Sequence, residues 1–513
     1  MVRNRVSALA LAVVCVVQAF AQPTVDEVLS RVRAAIGYER MAAQATGLQF
    51  SGKGRFLGND VTLSGSIGNR GEYVRKMAGP IPYDTGWDGQ VAWRSEFSGW
   101  SRVLAAGERN EQRIEAAVMS GAWLAKDSPL RFTSVSRDES AARVTLGFEL
   151  RDGFETGTVE IDERAALPIR WTYGAKIHER QALSIERWHD FGGMKIPARV
   201  GSASAGSDAT VTDIDAVSAA PVFVRSPFQI PPRAGDDIAF AADKPAALVV
   251  ERAPTGHLLV QPLIDGRELG WFIFDTGAGI CVLDQSVADE LALPALATIA
   301  AKGTGGAKPS PMHRLKTIEL GPVTLREPVV IAIDLAFLTV PLGRKIAGVV
   351  GYDFIARCVA EMSLADGTIA LHEPGKFELK SGKWEPITML GRVPAIEAVF
   401  EGQRGLITLD TGSNVGMTFN HPAVEKFKLL DGRETTASQS GGVGGTTPMM
   451  RGKLKSIELA GREFEDIDAS FAAEPRGVFG TPYAAGVIGG PMLKQFRLVL
   501  DYGGERIALV DQP

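Results

Sequence analysis

Two aspartates begin the same tripeptide, Asp-Thr-Gly, and each directly follows an apolar segment. The first, Asp275, follows residues 272–274, and the second, Asp410, follows residues 407–409. Because glycine permits a tight turn, each carboxylate is expected at the end of a strand. Two adjacent carboxylates cannot easily both ionise, so they share a proton and titrate as a pair. One member of such a pair can take a proton from water while the other donates one.

Both aspartates lie in an internal repeat, which indicates that the C-terminal half uses one fold twice. Three later landmarks fall 28, 43 and 73 residues after Asp275, and 32, 47 and 76 residues after Asp410. Two copies related by approximate two-fold symmetry would bring the carboxylates together. The landmarks are a glycine-rich segment (Gly303, Thr304, Gly305 and Gly306; Gly442, Val443, Gly444 and Gly445), an apolar strand (316–321; 455–459) and an apolar-apolar-Gly segment (348–351; 486–489).

On these residues the repeat resembles the two lobes of a retropepsin-like aspartic peptidase, over roughly residues 245 to 513. The resemblance implies that Asp275 and Asp410 are a catalytic dyad that hydrolyses peptide bonds, with no metal and no other cofactor. It implies that Thr276 and Thr411 bond across the lobe interface, and that the glycine-rich segments are mobile flaps. The active-site loops would be supported by Thr276, Gly277, Ala278, Thr411, Gly412 and Ser413.

The two copies differ in the residue that follows the motif, which is Ala278 in one and Ser413 in the other. A hydroxyl that bonds the charged form of a carboxylate lowers its pKa. We therefore expect Asp410 to be the ionised member and Asp275 the protonated one, with activity extending above strongly acidic pH.

Asp-Thr-Gly occurs a third time, at residues 84–86, and supplies an internal control. It follows Pro-Tyr rather than an apolar strand, and no flap segment or apolar-apolar-Gly follows at the right distance. These residues are therefore predicted to form a turn. The copies also depart from the family, because neither flap has the tyrosine of pepsin-like enzymes and residues 490–491 are Gly-Pro where residues 352–353 are Tyr-Asp.

The N-terminal half, residues 23–220, contains no zinc-peptidase motif and no nucleophile elbow. A capping box at residues 24–27 predicts a helix over 25–36. Alternating apolar and polar residues predict an antiparallel sheet, interrupted by a helix near 108–124. Three phrases resemble LolA-like lipoprotein-carrier domains, which implies a curved sheet with an apolar concave face and an apolar ligand or lipoprotein as a partner. The phrases are residues 87–93, 161–168 and 191–197.

Two sets of residues have alternative interpretations. Cys281 and Cys358 lie in apolar segments, which favours buried thiols, although a disulfide between them stays open. Four tryptophans could line an apolar groove or fill a core, and the core is favoured. They are Trp93, Trp100, Trp171 and Trp188.

The first 21 residues have the pattern of a secretion signal. Arg3 and Arg5 precede an apolar run over 6–17, and Ala-Phe-Ala ends the segment before Gln22. The run is too short to span a bilayer, and no other segment is long and apolar enough to do so. We therefore expect export to the periplasm or beyond the cell. The formal net charge of −5, without a Lys/Arg cluster, disfavours nucleic-acid binding.

The sequence thus predicts a mainly β protein with an N-terminal antiparallel curved sheet and helices, followed by a bilobal all-β aspartic-peptidase unit. The expected function is an exported, monomeric aspartic endopeptidase acting on peptides or proteins. Three alternatives stay open: a lipid- or lipoprotein-binding protein with an inactive peptidase domain, a peptidase active only as a dimer, and an inhibitory N-terminal pro-segment. The expected bounds are 1–21 for the signal peptide, 23–220 for the LolA-like domain, 221–245 for a proline-rich linker, 246–376 for lobe 1 and 390–513 for lobe 2.

Overall fold

A computed structural model of the protein describes residues 22–43, 46–175, 180–203, 207–220, 226–233 and 235–512. The predicted secretion signal, with its cleavage site, lies outside these residues. Strands dominate the described chain, so the predicted mainly β fold is confirmed. None of the helices in these ranges is both long and apolar enough to cross a membrane.

The N-terminal half forms one 13-stranded antiparallel sheet. Two meanders, β1 to β6 and β7 to β13, are joined side by side where β1 pairs with β13. The strands are β1 Leu48–Phe56, β2 Asn59–Ile67, β3 Tyr73–Ala78, β4 Tyr83–Trp87, β5 Ala92–Ser95, β6 Ser101–Val103, β7 Leu130–Asp138, β8 Arg143–Leu150, β9 Glu155–Asp162, β10 Leu167–Ala175, β11 Gln181–Phe191, β12 Met194–Ala203 and β13 Thr210–Ala219.

The described residues of this half include three α-helices: α1 (Val25–Ile36), α2 (Tyr38–Ala42) and α3 (Ala106–Ser120). The helix predicted over 25–36 is confirmed with its capping box, since the Glu27 N–H donates to the Thr24 hydroxyl at 3.3 Å and the Thr24 N–H donates to the Glu27 carboxylate at 2.7 Å. The apolar side chains of α1 and α3 are buried in the same core as those of the sheet.

The tryptophans mostly fill the core, as favoured from the sequence. Trp93 and Trp171 are almost fully buried, and the half-buried Trp188 packs against the core. Trp100 instead lies between two guanidinium groups, 4.8 Å from that of Arg233 and 4.6 Å from that of Arg357.

The turn predicted at residues 84–86 is wrong, because these residues lie within strand β4. The glycine serves packing rather than a turn, since a Cβ on Gly86 would lie 2.4 Å from the indole nitrogen of Trp93.

The C-terminal half consists of two lobes with 26 strands between them. The first 15 are β14 Ile238–Phe240, β15 Glu251–Arg252, β16 Leu258–Val260, β17 Leu263–Ile264, β18 Arg267–Glu268, β19 Trp271–Phe274, β20 Val282–Asp284, β21 Ala297–Gly303, β22 Gly306–Arg314, β23 Thr317–Leu320, β24 Val323–Arg326, β25 Val329–Ile333, β26 Ile346–Val350, β27 Val359–Ser363 and β28 Thr368–His372.

The other 11 strands are β29 Glu385–Pro386, β30 Thr388–Leu390, β31 Val393–Phe400, β32 Gln403–Asp410, β33 Met417–Phe419, β34 Thr435–Gly442, β35 Gly445–Leu459, β36 Arg462–Ala472, β37 Gly486–Gly489, β38 Phe496–Asp501 and β39 Arg506–Asp511. Five short helices join the strands of the lobes. They are α4 Gln285–Glu290, α5 Thr339–Leu342, α6 Tyr352–Ile355, α7 His421–Phe427 and α8 Gly490–Leu493.

The lobes share one strand arrangement at their centres. In lobe 1, β26 lies parallel to β19 and antiparallel to β20; in lobe 2, β37 lies parallel to β32 and antiparallel to β33. The lobes are also joined by one sheet, in the order β28-β27-β38-β39-β29, in which β27 of lobe 1 pairs with β38 of lobe 2. This shared sheet ties the two copies together within one chain.

Part of the proline-rich segment between the halves is packed against both of them. Phe228 lies against Trp93, whose indole N–H donates to the Phe228 carbonyl at 2.6 Å. Further along, β14 pairs with β24 of lobe 1. The core of the N-terminal sheet also continues into apolar residues of lobe 1, such as Ile273 and Ile331, so the two halves pack as one body.

Candidate active site

The two aspartates of the repeat lie at the ends of equivalent strands. Asp275 directly follows β19, and its N–H donates to the Val350 carbonyl of β26 at 3.0 Å. Asp410 ends β32 and pairs with Gly489 of β37. Both carboxylates are therefore carried by strands that pack in the middle of a sheet, which fixes their positions.

The threonines after the aspartates bond across the lobe interface in a reciprocal pattern. The Thr276 hydroxyl donates to the Leu409 carbonyl at 2.9 Å and accepts from the Thr411 N–H at 3.0 Å. The Thr411 hydroxyl donates to the Phe274 carbonyl at 3.0 Å and accepts from the Thr276 N–H at 3.1 Å. Both threonines are buried, so these four bonds are shielded from water and hold the two loops in register.

The glycines of the two loops bring the carboxylates into contact. Each glycine N–H donates to the aspartate of its own loop, Gly277 to Asp275 at 2.7 Å and Gly412 to Asp410 at 2.8 Å. A Cβ on Gly277 would lie 2.3 Å from Cγ of Asp410, and one on Gly412 would lie 2.3 Å from Oδ2 of Asp275. Each carboxyl group thus lies against the glycine of the other loop, a close approach that glycine alone permits at these positions.

The apolar-apolar-Gly segments pack beneath these loops. The Tyr352 N–H donates to the Ala278 carbonyl at 2.8 Å, and the Gly490 N–H donates to the Ser413 carbonyl at 2.8 Å. A Cβ on Gly351 would lie 2.7 Å from the Ala278 oxygen. Residues 490–491 are Gly-Pro where residues 352–353 are Tyr-Asp, yet the backbone hydrogen bond that supports the loop is preserved.

Burial raises the pKa of both aspartates, and the charge of Asp275 raises that of Asp410 further. The pKa of Asp410 lies well above its ordinary value because the carboxyl is buried and faces the charge of Asp275. The pKa of Asp275 is raised by burial, but the Gly277 N–H, the Asp410 carboxyl and the nearby His257 oppose the increase. These directions favour Asp410 as the protonated member of the pair and Asp275 as the ionised one, with one proton shared between them.

This assignment reverses the one expected from Ser413. The expectation assumed that its hydroxyl bonds the Asp410 carboxylate, but that hydroxyl accepts from the Val415 N–H at 3.4 Å. It is the backbone of Ser413 that lowers the pKa of Asp410, and this effect is smaller than those of burial and of Asp275.

The glycine-rich segments are the tips of two hairpins, flap 1 (β21 and β22) and flap 2 (β34 and β35). The tips meet: the Gly305 N–H donates to the Val443 carbonyl at 3.0 Å, and the Thr447 hydroxyl donates to the Thr304 carbonyl at 2.6 Å. Equivalent segments of two copies can touch only near the axis that relates them. The flap tips and the threonine pair therefore lie along the same pseudo-two-fold axis.

Two residues beside the dyad were not predicted from the sequence. His257 Nε2 lies 2.8 Å from the Gly412 carbonyl, and its Nδ1 lies 2.6 Å from the Thr255 hydroxyl. Arg392 lies against the lobe 1 loop, because a Cβ added at Gly279 would be 3.7 Å from both the Cβ and the Nε of Arg392. Each stands 18 residues before the aspartate of its own lobe and reaches the loop of the other lobe. That equal spacing is the signal that could have identified them.

Cys281 and Cys358 are both free thiols and both buried. The Cys281 thiol accepts from the Gly351 N–H at 3.4 Å, and the Cys358 thiol lies 3.6 Å from the Ile355 carbonyl. Burial raises the pKa of each thiol to about 12. In the described parts of the chain, no three or more His, Cys, Asp or Glu side chains are grouped as metal ligands would be.

Comparison with known proteins supports the same division of the chain. Two segments, residues 260–354 and 396–491, match a family model described as aspartyl protease. A search of curated proteins gave no match.

Three solved structures show low overall similarity to the chain. A retropepsin-like aspartic protease from Rickettsia conorii is 15% identical, with 26% of this chain and 96% of that chain covered and a TM-score of 0.20. A DUF1329 family protein from Desulfovibrio piger is 10% identical, with 39% and 97% covered and a TM-score of 0.27. A LolA superfamily protein from Nitrosomonas europaea is 10% identical, with 39% and 95% covered and a TM-score of 0.28.

The family match spans both Asp-Thr-Gly loops and both apolar-apolar-Gly segments. The C-terminal half of the chain therefore carries the aspartyl protease family pattern twice, once in each lobe of a single polypeptide.

Proposed function

We propose that this protein is an aspartic endopeptidase whose dyad, Asp275 and Asp410, is completed within one chain. The observation that carries the proposal is the reciprocal bonding of Thr276 and Thr411, which holds the two loops so that the carboxyl groups of Asp275 and Asp410 face one another. A pair with one shared proton supplies a general base and a general acid at the same time.

The protonation states assign the steps. The ionised Asp275 accepts a proton from a water molecule, and the water oxygen attacks the carbonyl carbon of the scissile peptide bond. Asp410 donates its proton to the carbonyl oxygen, which gives a neutral tetrahedral diol. A carboxyl group then protonates the amide nitrogen while a diol hydroxyl returns its proton to the other, and the carbon–nitrogen bond breaks to release an amine and an acid.

The location is proposed from the first 21 residues, whose pattern supports export to the periplasm or beyond the cell. The N-terminal half is proposed to be a permanent part of the enzyme rather than a removable pro-segment. Its core is continuous with that of lobe 1, so removal would expose apolar residues such as Ile331.

The proposal is tested by cleavage of a diverse peptide mixture from pH 3 to 8. Wild type is compared with Asp275→Asn, with Asp410→Asn and with a mixture of the two variants. Each substitution should reduce kcat/KM by at least about 100-fold, since general acid–base catalysis contributes roughly 10² to 10⁴. Mixing should restore nothing, because each chain holds both loops.

Asp501→Asn is a matched control, since this aspartate is buried at the end of β38 in the sheet shared by the lobes and belongs to neither Asp-Thr-Gly loop. Restored activity on mixing would show that the dyad forms between chains. Activity that survives either dyad substitution, or no cleavage by folded wild type at any pH, would contradict the proposed function.

A further inference from the structure

A cavity of about 290 Å³ lies where the N-terminal half meets both lobes. Most of its lining comes from the N-terminal sheet. Two lining residues belong to the C-terminal half: Ile299 on strand β21 of flap 1, and Arg392, which lies against Gly279 of the lobe 1 catalytic loop. The cavity is therefore bounded by a strand of flap 1 and by an arginine that lies against a catalytic loop.

Both residues neighbour parts of the molecule that would hold a substrate, since β21 leads to the tip of flap 1. Gly279, against which Arg392 lies, is four residues after Asp275, so this part of the lining is close to the dyad along the chain. An extended peptide advances about 3.3 Å per residue. A substrate held across the dyad would reach the gap between flap 1 and Gly279 within roughly three or four residues, and the N-terminal half forms the wall beyond that gap.

The charged groups that line the cavity are already paired with one another. Arg102 bonds Glu96 and also Glu108, the latter at 2.7 Å. Arg94 lies 3.4 Å from Glu108, and Arg392 lies 3.2 Å from Glu96. These pairs leave little net charge for a ligand to neutralise.

The aromatic side chains are the uncharged part of this lining, although the Arg94 guanidinium lies 5.4 Å from the Tyr83 ring centroid. The ring centroids of Phe56 and Tyr83 are 4.7 Å apart, and those of Tyr83 and Phe97 are 6.4 Å apart, so three rings form a row along the wall. Leu57 and Ile299 extend this apolar surface. Aromatic rings gain most from another ring packed at their edge or face.

The wall is held rigidly by the loop over residues 96–100. The Ser98 hydroxyl donates to Asp353 at 3.2 Å and accepts from the Val329 N–H at 3.1 Å, and Arg357 donates to the Ser98 carbonyl at 3.3 Å. A lining fixed in this way can discriminate between side chains, because it cannot relax around a poor fit.

We propose that the N-terminal half builds an extended substrate subsite in this cavity, which accepts an aromatic side chain three or four residues from the scissile bond. The proposal rests on the proposed peptidase function and names a preference of the same cleft. It also gives the N-terminal half a direct role in substrate choice.

The test uses the full chain and peptides that share one cleavable core. A single position, three or four residues to either side of the scissile bond, carries Phe, Ala, Asp or Lys. We expect wild type to prefer Phe over Ala by about tenfold in kcat/KM on one side, as about 1.4 kcal/mol of aromatic packing would give. Phe97→Ala should reduce that preference to about twofold, and Phe154→Ala, which alters an exposed ring elsewhere in the same domain, should leave it unchanged.

Phe97→Leu keeps the proposal testable if Phe97→Ala does not fold, since it retains apolar volume but removes the ring. Binding of the same peptides to the Asp275→Asn variant, measured by fluorescence anisotropy, separates this proposal from the proposed function. Tighter binding of the Phe peptide that depends on Phe97 supports the subsite even if no peptide is cleaved.

Cleavage without a Phe preference, or with one that Phe97→Ala leaves intact, would overturn the subsite while leaving the peptidase function standing. A preference for Asp that is lost in Arg94→Gln would assign the cavity to an anionic group and would also overturn the proposal. Absence of Phe-dependent binding and of cleavage together would contradict both.

Discussion

The two lobes are built on one scaffold, yet their flaps have different surroundings. Flap 1 is bonded to the N-terminal half along its outer strand: the Thr298 N–H donates to Asp208 at 2.8 Å, and the Ala300 N–H donates to Ser207 at 3.0 Å. In flap 2, the outer strand β34 pairs with β35 alone among the described strands, and many of its residues are exposed. Duplication provides the symmetric dyad, and the N-terminal half breaks the symmetry around it.

The same contrast appears next to the dyad. His257 and Arg392 occupy equivalent positions, but only His257 lowers the pKa of the Asp275 carboxyl, whereas Arg392 pairs with Glu96 of the N-terminal half. The symmetric part of the molecule thus supplies chemistry, and the asymmetric part assigns different roles to the two aspartates and to the two flaps.

The largest loss of stability and activity is expected from substitutions of the threonines at the lobe interface, where the two lobes are most alike. Thr276→Val and Thr411→Val each remove a hydroxyl that both donates and accepts at the buried interface, and each leaves a carbonyl and an N–H without a partner. We expect each to lower the free energy of unfolding by about 2 to 4 kcal/mol. Urea unfolding measures this loss, and kcat/KM should fall in parallel as the dyad loosens.

Thr418→Val is the matched control, because this threonine is buried on β33 away from the dyad loops. Its effect should be well below 1 kcal/mol if the interface bonds carry the loss. Markedly unequal losses for Thr276→Val and Thr411→Val would show that the interface is not symmetric.

The second prediction concerns the pKa of Glu111, a titratable residue that interacts with a charge of flap 1. Burial raises the pKa of Glu111, on α3, to about 7, and Lys302 of flap 1 is among the charges that oppose the increase. The folded state holds this proton up to about pH 7, whereas the unfolded chain releases it near its ordinary pKa of 4.5. The stabilisation is therefore present below about pH 4.5 and is lost as the pH rises towards 7.

Glu111→Gln should remove this dependence and stabilise the protein at pH 8 by about 2 kcal/mol relative to wild type. Glu139→Gln, at an exposed position, should change neither the pH dependence of stability nor the free energy of unfolding at pH 8. Parallel stability curves for wild type and Glu111→Gln between pH 4.5 and 7 would show that Glu111 is ionised throughout.

Much of this architecture could be predicted from local sequence patterns. The capping box predicts α1, alternation predicts strands such as β8, and the repeat predicts two lobes with facing aspartates, because these signals lie within short segments or recur at fixed spacing. The attachment of flap 1 could not be predicted, since it joins Asp208 to Thr298 across 90 residues without any repeated pattern. The contact of the Ser413 hydroxyl with the Val415 N–H could not be predicted either, because the direction of that hydroxyl depends on the folded loop rather than on residue type.

A third effect compares the flaps directly by amide hydrogen exchange. In wild type, the amides of Thr298 and Ala300 should exchange more slowly than those at the outer edge of β34, because side chains of the N-terminal half accept their hydrogen bonds. The double variant Ser207→Ala and Asp208→Ala should accelerate exchange at these two amides by about tenfold, equivalent to about 1.4 kcal/mol. Exchange in β36 serves as the internal reference, and equal protection of both flaps in wild type would remove the proposed asymmetry.

The smallest effect tests the different roles of the two aspartates. Because His257 lowers the pKa of Asp275, His257→Gln should raise that pKa and move the acid limb of the pH–rate profile upward by about half a pH unit. The alkaline limb, set by the proton on Asp410, should stay in place. Glutamine can still donate to the Gly412 carbonyl, so kcat at the optimum should change little.

Arg392→Gln alters the equivalent position of the other lobe and should leave the acid limb where it is. A shift of the alkaline limb in His257→Gln would instead place the ionised carboxylate at Asp410, which would exchange the two roles and restore the order expected from Ser413.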